Sequence, residues 1–217
     1  MPILYSFKRC PYAMRARMAL YLSNIVCEHR EVSLKNKPSS MLEVSPKGTV
    51  PVLLLENGQV LEESLEIILW CIKNNKTIFI DNLTDIQEKR ANEIIHLFDK
   101  AFKFHLDRYK YATRYKDIDE IYHRDKCIEI LKILEKDTND NSKWFYSDSV
   151  GKLDICILPF IRQFRIANPK WFDQQTKIPK VQKLLSYFLE SNLFKSVMIN
   201  YDVWEVGQET KLFPLAK

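Results

Sequence analysis

Leu4-Tyr5-Ser6-Phe7-Lys8-Arg9-Cys10-Pro11-Tyr12-Ala13-Met14-Arg15-Ala16-Arg17-Met18-Ala19-Leu20 reads as a strand, a tight connection and a helix. Ile3 to Phe7 is a short apolar run of strand length. Met14, Met18 and Tyr21 then recur at helical spacing. Proline is favoured at the first position of a helix, where its missing N–H costs nothing, so Pro11 marks the start. Cys10 therefore sits at the helix mouth, facing unpaired backbone N–H groups that stabilise a thiolate. Lys8, Arg9 and Arg15 add positive charge nearby. A lone cysteine is ordinarily a small buried hydrophobe. The coincidence of strand, Cys-Pro and helix points instead to a reactive thiol.

From Cys27 to about residue 75 the elements alternate in type. Cys27 to Val32 reads as a second strand, with Cys27, His29 and Glu31 on one face. Pro38-Ser39-Ser40 starts a short helix that ends near Ser45-Pro46. Val50 to Leu55 is a third strand. Glu56-Asn57-Gly58-Gln59 carries Asn-Gly, a hairpin signal, and leads to a strand at Val60-Leu61. Ser64 opens a helix, expected to place Leu65, Ile68, Leu69 and Ile72 on one face. The order is βαβαββα. Its first crossover requires parallel strands, and its Asn-Gly turn an antiparallel pair.

After the polar stretch Asn74 to Asp85 the pattern changes to helix. Ile94, Leu97, Phe98 and Ala101 form one stripe, and Ile121, Cys127, Ile128, Leu131 and Leu134 another. Asp154 to Ile166 is strongly apolar, and Pro179 to Leu189 repeats the helical style. The expectation is a domain over 1–75, a linker over 76–85 and an all-helical domain over 86–217.

Composition narrows the function classes. The 217 residues, 46% hydrophobic with only four glycines, suit a compact helix-rich protein. Net charge is +5, from 33 basic and 28 acidic side chains scattered along the chain, without the block expected of a nucleic-acid binder. The five cysteines (Cys10, Cys27, Cys71, Cys127, Cys156) are odd in number, widely spaced and without a CxxC or zinc-ligand pattern. No charged leader precedes the first strand and no apolar run is of membrane-spanning length, so a cytoplasmic protein with no metal, nucleic-acid or membrane partner is expected. The last four cysteines read as core.

Three further places could carry chemistry. Val50-Pro51 offers an X–Pro bond, where a cis peptide is most affordable. Ser64 reads as a helix N-cap with no capping box through Ile67, and Glu63 beside it could meet an ammonium group. Lys35 and Lys37 follow the second strand, and either could reach a carboxylate. Asp154 stands at the start of the most apolar helix and reads as a capping device.

These parts combine into a resemblance. Cys10-Pro11-Tyr12-Ala13, Leu34-Lys35-Asn36-Lys37-Pro38, Pro46-Lys47-Gly48-Thr49-Val50-Pro51-Val52-Leu53 and Glu62-Glu63-Ser64 occur in the order and spacing of the cytosolic glutathione S-transferase superfamily. The chain most resembles its cysteine-type members: the omega class, dehydroascorbate reductases and two-domain glutaredoxins. Asp154 to Phe160 looks like the family's buried sixth helix, with Gly151 where a capping serine or threonine is usual. The resemblance implies a thioredoxin-like domain followed by an α-helical one, with glutathione as cosubstrate and a homodimer. It makes Cys10 the catalytic thiol and gives Val50, before cis-Pro51, to the glutathione cysteinyl backbone. Glu63 and Ser64 would hold the γ-glutamyl end, Lys35 the glycyl carboxylate, and Tyr12 would neighbour glutathione. Ala13 stands where a glutaredoxin has its second cysteine, so a dithiol mechanism is not expected. The implied activity is thiol transfer to a small disulfide or electrophilic substrate. Conjugation through a hydroxyl of Tyr5 or Ser6 stays open. So does a non-catalytic role, as a polymerase-associated stress protein or a carrier lined by Phe102, Phe104, Tyr109 and Trp204.

Overall fold

The computed structural model describes residues 1–75, 83–138 and 142–215. The chain divides into two compact units, Met1–Phe79 with Glu190–Lys217, and Ile80–Leu189.

The first unit follows the order β1 (Ile3–Ser6), α1 (Pro11–Leu22), β2 (Cys27–Glu31), α2 (Ser39–Val44), β3 (Val52–Leu54), β4 (Val60–Leu61) and α3 (Ser64–Asn74). This is the expected thioredoxin-like βαβαββα series. β1 pairs in parallel with β2 and antiparallel with β3, and β3 pairs antiparallel with β4. The hairpin turns as its Asn-Gly requires, with Gly58 at φ +84 and its N–H on the Leu55 carbonyl.

One strand lies outside the sequence reading. β5 (Leu212–Phe213) adds antiparallel to β2, so the sheet order is β4-β3-β1-β2-β5. Two residues are too short to show an alternating pattern, so the expectation of helix alone over 86–217 missed it. The same tail includes a helix, Asn192–Val197, and groups with the first unit rather than the helical one.

Helix α1 is buried without interruption from Ala13 to Leu20, including Arg15 and Arg17. A helix buried all round needs neighbours on several sides. α3 and Asn192–Val197 both pack against it. The buried face of α3 corrects the expected one. Ser64, Ile67, Ile68 and Cys71 are buried, whereas Leu69 is 57% exposed. Both sets fit a 3.6-residue period, and contact with α1 selects the one bearing the serine and the cysteine.

In the second unit lie α4 (Asp85–Leu97), a π turn at Phe98–Phe102, α5 (Lys103–Lys110), α6 (Glu120–Asp137), α7 (Lys152–Ala167), α8 (Pro169–Asp173) and α9 (Pro179–Glu190). Asn192–Val197 is then α10. Thr84 caps α4, so helix begins inside the expected linker, whose residues 76–82 lie outside the described ones. Phe98 and Phe102 stack at 4.4 Å between ring centres, and Phe160 and Phe164 of α7 meet them edge-on. Of the predicted stripe on α6, Cys127, Ile128, Leu131 and Leu134 are buried, but Ile121 in its first turn is 44% exposed. Glu135 of α6 accepts the N–H groups of Lys180 and Val181, both at 3.0 Å, and so caps α9 from another helix.

Candidate functional site

Cys10 sits where strand-to-helix geometry puts it. β1 ends at Ser6, and a turn closed by the Cys10 N–H on the Phe7 carbonyl (3.0 Å) delivers the chain to Pro11. Cys10 is the N-cap residue, extended at φ −72 and ψ 125, and its carbonyl accepts the Met14 N–H. Its side chain caps nothing. The thiol points at the Val50 carbonyl, 3.6 Å away. Both residues pack with Tyr5, Ala13, Val32, Met41 and Val52 at one edge of the core. Cys10 is half-buried, and the other four cysteines are fully buried. Burial pushes the thiols of Cys27 and Cys127 far up and that of Cys71 up to about 12, so none of these three ionises near neutrality.

The peptide bond between Val50 and Pro51 is cis, as the resemblance implied. Val50 is 9% exposed and lies just before β3. Ser64 is not the N-cap: Glu63, still extended, takes that position, and its N–H meets the Glu66 carboxylate at 3.3 Å. Ser64 is the first helical residue, is buried, and its hydroxyl accepts from Arg15 Nη1 at 3.4 Å. Arg15 in turn lies 5.2 Å from the centre of the Tyr12 ring. Tyr12, Arg15 and Ser64 thus join the starts of α1 and α3. Glu63 pairs with Lys47, and Ser45 donates to Glu62.

The two lysines part company. Lys35 is exposed on the turn between Ser33 and Asn36. Lys37 reaches the Val50 loop instead: a Cβ built on Gly48 would lie 3.6 Å from its Nζ. Gly48 holds φ +62, a conformation glycine adopts without penalty.

Neither alternative hydroxyl is open. Tyr5 is 1% exposed, and its OH donates to Ser40 and accepts from Arg30 at 2.7 Å. Ser6 is fully buried, and its hydroxyl accepts from Arg17. Of the aromatics suggested for a carrier site, Phe102 is core, and Phe104 and Trp204 lie under the guanidinium groups of Arg108 and Arg30.

Residues 4–76 match the family model described as "Glutathione S-transferase, N-terminal domain". This stretch is a glutathione S-transferase N-terminal domain. Its sequence resemblance to that superfamily is borne out. Glutathione S-transferase omega-1 of Rattus norvegicus is 29% identical over 163 residues, covering 74% of this chain and 66% of that one. The tau-class glutathione S-transferase of mango, Mangifera indica, superposes with a TM-score of 0.78 over 92% of this chain and 93% of its own, at 22% identity. A glutathione transferase from Pseudomonas putida, with one glutathione disulfide bound per subunit, superposes with a TM-score of 0.74 at 18% identity, covering 91% and 90%. The glutathione S-transferase fold therefore runs through both units. Among the described residues no helix is long and apolar enough to cross a membrane, and no group of three metal-ligating side chains is present.

Cys10 and Val50, which only the resemblance assigns to one site, lie side by side, and the cap expected at Ser64 falls at Glu63. Arg15 reads from the sequence only as nearby charge, and the bonds of Arg17, Glu31 and Lys47 go unread there. Two arginines inside the otherwise apolar run Tyr12 to Leu20 were the available signal, because a buried guanidinium must be bonded.

Proposed function

We propose that the protein is a glutathione-dependent thiol transferase whose nucleophile is Cys10. The carrying observation is a half-buried thiol at the mouth of α1, 3.6 Å from the Val50 carbonyl, in a chain whose other cysteines are all buried. The Cys10 thiolate attacks the glutathionyl sulfur of a mixed disulfide, forming Cys10–S–S–glutathione and releasing the substrate thiolate. The thiolate of a second glutathione attacks the glutathionyl sulfur, releasing Cys10 and oxidised glutathione. Ala13 supplies no resolving thiol, so resolution falls to glutathione. Val50 offers backbone groups beside Pro51 to the cysteinyl unit. Ser64 and Glu63 serve the γ-glutamyl end, and Tyr12 borders the ligand. Lys35 would meet the glycyl carboxylate, with Lys37, whose Nζ lies 3.6 Å from where a Gly48 Cβ would stand, as the alternative. Support for glutathione as the ligand comes from the matching N-terminal domain and from the Pseudomonas putida protein of the same fold. Conjugation through Tyr5 or Ser6 is disfavoured by the bonds that hold both hydroxyls inside. The reading includes a cytoplasmic homodimer, which sedimentation and fractionation test.

Treatment with oxidised glutathione followed by intact-mass spectrometry and peptide mapping is the test. One adduct, at Cys10, removable by reduced glutathione and absent from Cys10→Ser, is expected, with at least a hundredfold loss of disulfide turnover in that variant. No adduct, or adducts spread over several cysteines, overturns the reading.

A further inference from the structure

The turn that presents Cys10 is held from below by two buried charges. Arg17, 2% exposed, lies two helical turns after Cys10. Its Nη2 donates to the Lys8 carbonyl at 2.7 Å, and its Nη1 to the Phe7 carbonyl at 3.4 Å and to the Ser6 hydroxyl. The Phe7 carbonyl also accepts the Cys10 N–H, so one oxygen ties the guanidinium to the thiol-bearing residue. Glu31, 7% exposed at the end of β2, holds the opposite polarity. Its Oε1 accepts the Lys8 N–H at 2.6 Å, and its Oε2 accepts from His29 Nε2 at 3.2 Å. The Lys8 N–H is therefore bonded to a carboxyl group and its carbonyl to a guanidinium.

The far end of the chain completes this arrangement. Arg17 Nε donates to the Val197 carbonyl at 2.9 Å, at the end of α10. Lys8 Nζ donates to Asn200 Oδ1. Tyr201 stacks on His29 at 4.1 Å. The Trp204 N–H bonds the Glu31 carbonyl at 2.8 Å, beside the bridge from Glu31 to Val203. Every link in this set reaches the Phe7–Cys10 turn directly or through Arg17 or Glu31.

We propose that Arg17 and Glu31 are positioning residues for the Cys10 thiol, and that residues 197–204 are a built part of the same support, strapping the Cys10 turn from about 190 residues away in sequence. The proposal rests on Cys10 being the reacting thiol. The C-terminal segment acts through the backbone of residues 6–10, so a substitution there changes how fast Cys10 reacts without touching a ligand.

The test uses the full chain with Glu31→Ala, Glu31→Gln and Arg17→Lys. Hydrogen exchange at the Lys8 and Cys10 amides, Cys10 alkylation by iodoacetamide and Cys10 glutathionylation by oxidised glutathione are measured beside thermal melts. In Glu31→Ala, exchange at Lys8 rises more than tenfold and both Cys10 reactions slow about tenfold, while core amides keep their protection. Glu31→Gln keeps an oxygen acceptor for Lys8 and recovers both rates to within threefold. Arg17→Lys keeps the charge but not the fork, and slows both reactions three- to tenfold without loss of the folded state. Cys10 rates within twofold of wild type in Glu31→Ala and Arg17→Lys, whatever the exchange shows, overturn the proposal. A wild-type protein that is alkylated but not glutathionylated at Cys10 sinks the functional reading alone, because alkylation still judges the positioning.

Discussion

Removing the Asp154 carboxylate tests how much of the helical unit hangs on one side chain. Asp154 is 2% exposed in the first turn of α7. Its Oδ2 accepts the Gly151 N–H at 2.9 Å, and its Oδ1 accepts the buried Phe145 N–H at 3.0 Å. The first bond caps the helix, and the second fastens the preceding loop onto it. Asp154→Ala leaves both donors without this acceptor. A buried donor so stranded costs about 1–3 kcal/mol, and loss of a cap alone costs about 0.5–2 kcal/mol. Because the two sites share one side chain and relax together, about 2–4 kcal/mol is expected. Against a typical stability of roughly 5–15 kcal/mol this is a large fraction. For a chain of this size it lowers the melting temperature by about 4–16 °C. Asp154→Asn recovers little, since its amide offers one oxygen to two donors and turns an N–H₂ towards the other. The assay is urea unfolding of wild type, Ala and Asn at neutral pH, with Cys10 alkylation measured in the folded protein. A loss under about 1 kcal/mol for Ala refutes the accounting. A selective loss of Cys10 reactivity with stability intact would refute the reading of Asp154 as structural.

Two further outcomes follow from burial. Ile68→Ala should cost about 2–4 kcal/mol in urea unfolding, whereas Leu69→Lys, at a position 57% exposed, should stay within about 0.5 kcal/mol; equal costs would mean that the wrong face of α3 packs on α1. Stability should also fall as pH drops from 7.5 to 5.5. Burial holds the His29, His105 and His123 imidazoles below their ordinary value, with the His123 charge adding to the effect on His105. Below about pH 6.5 the unfolded chain therefore binds protons that the folded chain refuses, and the stability present above that pH is lost. A urea midpoint that holds or rises on acidification contradicts this, and His29→Gln should flatten the slope. His29 is accordingly neutral, and its contact with Glu31 is a hydrogen bond rather than an ion pair.

Much of the first unit was legible because its signals are local. A Cys-Pro pair between an apolar run and a helical stripe fixes a turn, a helix start and the place of one thiol at the helix mouth within about a dozen residues. Asn57-Gly58 fixes a hairpin by its own backbone preferences. The cap of α3 was misread by a single residue. Glu63 and Ser64 both suit a helix start, and only packing against α1 buries the serine and leaves the glutamate extended.

Local signals along the chain suffice for the order of elements from β1 to α3, the position of Cys10 at a helix mouth and the change from mixed to helical pattern near residue 80. What holds that cysteine in place comes from contacts between distant parts of the chain. Arg17 bonds mostly to backbone carbonyls, and a carbonyl carries no side-chain signature by which a partner could be read. Val197 and Trp204 reach Arg17 and Glu31 across more than 170 residues, a separation at which neither spacing nor periodicity carries information. The same holds for β5, whose two residues become a strand only because β2 has a free edge to pair with. Local preferences set the parts, and the pairing of buried polar groups with distant backbone set how they were joined.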